Sequence, residues 1–188
     1  MDFTFDEATH TYRMENGEVW PSVTQVLQDM GFVDSRWFTE ESRTRGKYVH
    51  RIVELHIKDE LDEDSVDESL GGYFEAYQRF AFDTNFIPEE VEVPAASEVY
   101  RFTGTPDYVG LLNGIPSIID GKSGLISAVT GLQLAGYEVL KKGHYRRFAL
   151  QLKADGNYKL SSFADRNDRA IFLQAVSLWW WQKANKIR

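Results

Sequence analysis

Apolar and polar positions alternate in short runs at the start of the chain and settle into longer helical periods further on. Residues 3–20 read as two short strands around Asn16-Gly17, a dipeptide that tolerates the positive φ of a tight hairpin turn. Pro21-Ser22 then opens a short helix over residues 23–30, where Ser22 and Gln25 have capping-box spacing and Gly31 follows as a stop. In residues 42–61 the apolar positions Val49, Ile52, Val53, Leu55 and Ile57 suit a second helix. A third, rich in aromatic rings, covers residues 73–82 before Pro88 breaks the pattern.

Short β-favouring runs follow at residues 91–94, 99–103, 108–112 and 117–119, separated by Gly, Pro and Asn, and predict three or four strands. Helical periodicity returns over residues 129–142, with Gly143 as its stop, and a pair of strands is expected at residues 147–152 and 158–162 around Asp155-Gly156-Asn157. A last helix over residues 168–186 carries Trp179, Trp180 and Trp181. This order predicts an α/β sandwich built on a mixed central sheet flanked by helices. At 188 residues the chain fits one domain with a sizeable core, residues 1–31 forming an N-terminal hairpin and short helix and residues 59–69 an exposed acidic connection.

Composition narrows the chemistry. The chain has no cysteine, so disulfides, thiolate zinc sites, iron–sulfur clusters and cysteine nucleophiles are excluded, and any metal must be held by oxygen or imidazole. The first ten residues lack a charged-then-apolar leader and no run of about 18 apolar residues occurs, which makes the cytoplasm the expected location. The net charge of −8 argues against a nucleic-acid partner until its distribution is read. Seven acidic residues and no basic one lie between Asp59 and Glu68, which leaves the rest of the chain near neutral. Arg36, Arg43, Arg45, Lys47, Arg51 and Lys58 form one basic cluster, and Lys141, Lys142, Arg146 and Arg147 another.

Three segments carry chemistry: FTGTPDYVG with Asp107, IIDGKSG with Asp120 and Lys122, and GLQLAGY with Gln133 and Tyr137. Asp107 follows a strand and a Gly-Thr-Pro turn, and Asp120 is read as ending an apolar strand 13 positions later. If those strands pair, two carboxylates converge at one sheet end, where hard divalent cations find the oxygen ligands they prefer. Lys122, two residues beyond Asp120 on an extended chain, leaves the same face and reaches the same centre. Each residue alone has a blander reading as a turn, cap or core position, and a lone D-x-K is nearly worthless; the order and spacing of the trio carry the inference.

The trio resembles the PD-(D/E)XK nuclease superfamily, with Pro106-Asp107 and Asp120-Gly121-Lys122 in literal form. Within it the chain is similar to the RecB-type and phage exonuclease-like branch, which carries a helical G-x-x-x-H, matched by Gly46 and His50, and Q-x-x-x-Y, matched by Gln133 and Tyr137. The resemblance implies a restriction-endonuclease-like core and a metal-dependent deoxyribonuclease, an exonuclease in phage or bacterial recombination, replication or repair. An endonuclease with the same centre, or an inactive nucleic-acid-binding relative, are the alternatives. It implies His50, Asp107, Asp120 and the Gly121 carbonyl as ligands of Mg²⁺ or Mn²⁺, Lys122 as catalytic lysine, and Gln133 and Tyr137 as residues that steady it or the DNA. Glu92 stands where the branch often has an acidic residue ahead of the GTPD strand, and it is left outside this set. DNA ends are the implied partner, in a freestanding nuclease without a helicase phosphate loop, alone, as a homo-oligomer or beside a recombination protein. The basic clusters flank the proposed centre and suit backbone phosphates, with Trp37 and Tyr48 as candidate base-stacking rings.

Overall fold

Alternation along the first residues builds a small sheet whose inward positions are Tyr12, Met14 and Trp20. In the computed structural model, which describes residues 2–6, 9, 11–33 and 39–187, this sheet has three antiparallel strands, not two. They are β1 (Phe3–Asp6), β2 (Thr11–Met14) and β3 (Val19–Trp20), and the Asn16-Gly17 turn joins the last two. The short helix α1 (Val23–Asp29) starts as its sequence signals, with the Ser22 hydroxyl accepting a hydrogen bond from Gln25 N–H. A longer helix α2 (Glu40–Ile57) leads through an exposed acidic turn to α3 (Glu68–Asp83), which buries Tyr73, Phe74, Tyr77 and Phe80. Arg36 and Trp37 lie outside the described residues.

Next come β4 (Ile87–Val91), the pair β5 (Ala95–Ser97) and β6 (Phe102–Gly104), then β7 (Tyr108–Leu112) and β8 (Ile115–Lys122). Helix α4 (Val129–Lys141), strands β9 (Arg146–Leu152) and β10 (Tyr158–Ser162) and helix α5 (Asn167–Ala184) complete the chain. The main sheet runs β10-β9-β8-β7-β4, antiparallel except for β8 beside β9, so it is mixed as expected. Successive side chains on a strand face opposite ways, and here they feed two cores. Ile119, Leu150 and Leu152 meet α2 and α3, whereas Val109 and Ile118 meet α1, α4 and α5. A sheet between two helical layers results.

Three departures from the sequence pattern have physical causes. Pro88 lies within β4 because β4 is an edge strand with a register shift at Pro88/Glu90, where a missing N–H costs no ladder bond. Asp120 does not end its strand: β8 continues to Lys122, held by parallel pairing of Asp120, Gly121 and Lys122 with Ala149, Leu150 and Gln151. Helix α4 ends through Lys142 in the left-handed region (φ 54°) rather than at Gly143.

Candidate functional site

Pairing of β7 with β8 sets Tyr108 against Ile119, which brings the Asp107 that precedes β7 next to the Asp120 of β8. Asp107 is fixed there by its Oδ2, which accepts the Gly121 N–H at 2.6 Å. Gly121 has no room for a side chain that did not disturb this, since a Cβ would sit 3.2 Å from the Tyr108 ring and 3.5 Å from Asp107 Oδ2. From the other side of the sheet α2 delivers His50, whose Nε2 lies 3.1 Å from the Gly121 carbonyl. Its Nδ1 lies 3.2 Å from Glu92 Oε1 and 3.7 Å from Asp107 Oδ1. One ligand atom each from His50, Glu92 and Asp107 fall within 4.8 Å of one another, so one metal ion could be shared among them.

Glu92 is the residue that the sequence motifs left out. It follows edge strand β4 in the left-handed region (φ 50°), where its N–H bonds the Asp107 carbonyl at 3.0 Å. A side chain with a Cβ rarely adopts this backbone, and such strain concentrates where a functional geometry requires it. The only sequence signal was the place of Glu92 ahead of the GTPD segment.

Asp120 and Lys122 leave the α4 face of the same strand. Lys122 Nζ lies 2.7 Å from Asp120 Oδ2 and forms an ion pair with it. Apart from that lysine, neither Asp120 oxygen has a hydrogen-bond partner among the described residues, although the side chain is 1% exposed. A buried carboxylate with one ammonium beside it keeps lone pairs that a further cation could take up. Lys122 also donates to Gln133 Oε1 at 3.3 Å, and Gln133 Nε2 donates to the Tyr137 hydroxyl at 3.0 Å. Gln133 and Tyr137 are one turn apart on α4 and therefore on one face.

These groups line one open cavity of about 210 Å³, together with Ser22, Thr24 and Thr105. The three hydroxyls were not singled out for the site by the sequence. Ser22 and Thr24 arrive because Thr103 N–H bonds the Pro21 carbonyl at 2.9 Å and pins the start of α1 to β6. Thr105 Oγ1 meets the Tyr12 hydroxyl at 2.7 Å, which ties the N-terminal sheet to the rim. Every residue of the expected set is thus at or beside the cavity.

The electrostatics follow from burial and crowded charge. Burial would lower the His50 pKa, but Asp107 and Glu92 outweigh it and push the group up to about 9. Burial pushes Asp120 up to about 6, against the pull of Lys122. Asp107 is raised by burial, with His50 opposing and Glu92 adding to the rise. Burial disfavours the Lys122 ammonium, yet Asp120 and Asp107 leave its pKa above the usual lysine value. The cluster has more negative charge than its own cations neutralise comfortably.

No protein-family model matches the chain, and no curated protein does. Among solved structures it is similar to the crystal structure of a candidate exonuclease from Eubacterium rectale, with TM-score 0.54 and 15% identity over 85% of this chain and 77% of that one. It is also similar to LHK-Exo in complex with dAMP, with TM-score 0.51 and 15% identity over 90% and 95% of the two chains. LHK-Exo is an alkaline exonuclease from Laribacter hongkongensis. Across most of its length, the chain shares the mixed α/β fold of these structures.

Proposed function

We propose that the chain is a divalent-metal-dependent nuclease of the PD-(D/E)XK superfamily, in its RecB-type and phage exonuclease-like branch, which hydrolyses DNA phosphodiester bonds from ends. The observation that carries this reading is the buried Asp120 carboxylate, met by the Lys122 ammonium alone, in one cavity with His50, Glu92 and Asp107. Oxygen and imidazole donors of this kind suit Mg²⁺ or Mn²⁺. His50, Glu92, Asp107, Asp120 and the Gly121 carbonyl would hold the ion, so Glu92 joins the set that the motifs imply. When bound, such an ion supplies Lewis-acid polarisation of the scissile phosphate.

The remaining work falls to the protein's own groups. Lys122 keeps its charge in a buried setting and sits on the cavity wall, where an ammonium offsets the negative charge that grows on the phosphoryl oxygens in the transition state. Gln133 holds the ammonium through Oε1 while Tyr137 holds Gln133, so the lysine is oriented before substrate arrives. The names of the structural neighbours favour exonuclease action, and the motif resemblance is what supports DNA as substrate and a role in phage or bacterial recombination, replication or repair.

Digestion of end-labelled linear duplex beside a covalently closed circle, each with Mg²⁺, Mn²⁺, Ca²⁺ or EDTA, tests the proposal. Linear DNA should be degraded with Mg²⁺ or Mn²⁺ only, and the circle should survive. Cleavage of the circle would make the enzyme an endonuclease, and inertness toward both would leave a nucleic-acid-binding relative.

A further inference from the structure

At the other end of β9 lies a second and larger cleft, about 790 Å³ in volume, whose chemistry the proposed cleavage does not use. Four arginines line it, Arg146, Arg147, Arg166 and Arg169, against one carboxylate, Glu138. Arg147 is not free: its Nη2 donates to the Asp165 carbonyl at 2.6 Å, and it pairs with Glu138 at 3.7 Å and Asp168 at 3.3 Å. That buried arginine thereby takes up Glu138, the carboxylate on the cleft wall, and the neighbouring Asp168. Arg146, Arg166 and Arg169 are exposed and have no carboxylate partner among the described residues. The half-buried rings of Tyr145, Phe148 and Phe163 line the same cleft.

Strand register separates this cleft from the cavity. Arg146 pairs with Ser117, whereas Asp120 and Lys122 pair with Ala149 and Gln151, three and five residues further along β9. That is roughly 10–16 Å at strand spacing. In a chain of net charge −8, a patch with three unspent guanidinium groups is a local reversal of sign. Guanidinium forks match phosphate oxygens, and aromatic rings beside them accept the faces of unstacked bases.

We infer that this arginine-lined cleft is an accessory site for single-stranded nucleic acid, which holds a strand by its phosphates and bases away from the cleavage centre. The inference rests on the nuclease reading for the identity of the polyanion. Its role would be retention of a strand between successive cuts, so it should matter for long substrates and not for a small phosphodiester that fills only the cavity.

The test measures binding and cleavage separately. Fluorescence anisotropy of a fluorescein-labelled oligothymidylate in EDTA compares wild type with Arg166→Ala/Arg169→Ala, over a series of salt concentrations. The double variant should bind about tenfold more weakly, and the slope of log affinity against log salt should fall by about 1.4, near 0.7 for each phosphate no longer neutralised. With Mg²⁺ its turnover of thymidine 5′-p-nitrophenyl phosphate should equal that of wild type. Unchanged affinity and slope would overturn the inference, and so would equal displacement of the oligonucleotide by polyglutamate, which would assign the cleft to an acidic protein. If the double variant melts below wild type, Arg166→Ala is read instead, with weaker binding and a slope lower by about 0.7. A wild type that binds through these arginines yet cleaves nothing would sink the nuclease reading alone.

Discussion

Asp120→Asn should stabilise the metal-free protein and abolish its stabilisation by metal. The carboxyl is 1% exposed, Lys122 is its partner, and burial pushes its pKa from 3.8 to about 6. An acid whose pKa is raised on folding binds more protons when folded, so its ionisation costs stability as pH rises through the folded value. A shift of roughly two units corresponds to a penalty on the order of 3 kcal/mol above about pH 6, absent below about pH 4. The neutral asparagine keeps the shape and removes the charge, but it also takes a counter-charge from Lys122, 2.7 Å away, so a net gain of about 1–3 kcal/mol is expected. For a chain of this size that is a rise in Tm of roughly 3–10 °C.

Thermal unfolding in EDTA across the pH range reads this directly. The gain should be full near about pH 8 and fade toward about pH 4, where both side chains are neutral. Added Mg²⁺ or Mn²⁺ should raise the Tm of wild type and leave that of the variant nearly unmoved, because only a ligand bound to the native state contributes. A variant less stable than wild type in EDTA at every pH, or a gain independent of pH, would refute the reasoning.

The other perturbations test separate parts of the site. His50→Gln acts on a group whose pKa is raised on folding to about 9 from 6.5, so in EDTA the imidazolium contributes stability below about pH 6.5 that is lost as pH rises through 9. Denaturant unfolding of the variant should lack that pH-dependent fall, and an unchanged profile would remove His50 from the charge cluster. Glu92→Gln should weaken Mn²⁺ binding by about tenfold or more in titration calorimetry, and equal affinity would return Glu92 to a structural role. Gly110→Ala would set a Cβ 2.2 Å from the Ile87 carbonyl, between β7 and β4. A loss of about 2–3 kcal/mol is expected, and wild-type stability would show that β4 is not seated as described.

How far the sequence could be read depended on whether the determining contacts were local. Asp107, Asp120 and Lys122 were legible because one hairpin, β7 and β8, joins them, and period two along an extended strand places Lys122 beside Asp120. Gln133 and Tyr137 were legible for the helical equivalent of the same reason. Glu92 was not, because it joins the site through a left-handed residue after a bulged edge strand that carries a proline, and no simple period describes that path. Ser22 could be assigned as a helix cap from its spacing to Gln25. Its place on the cavity wall depends on the long-range bond from Thr103 to Pro21. The continuation of β8 through Asp120 likewise depends on β9, some 30 residues away in the chain and paired in parallel.

Lys122 distinguishes chemistry from binding most directly. If it stabilises charge that develops only in the transition state, Lys122→Ala should bind end-labelled DNA in Ca²⁺ about as well as wild type. In Mg²⁺ it should cleave on the order of a hundredfold or more slowly under single-turnover conditions. Weaker binding with an unaltered cleavage rate would instead make Lys122 a phosphate contact and contradict the account.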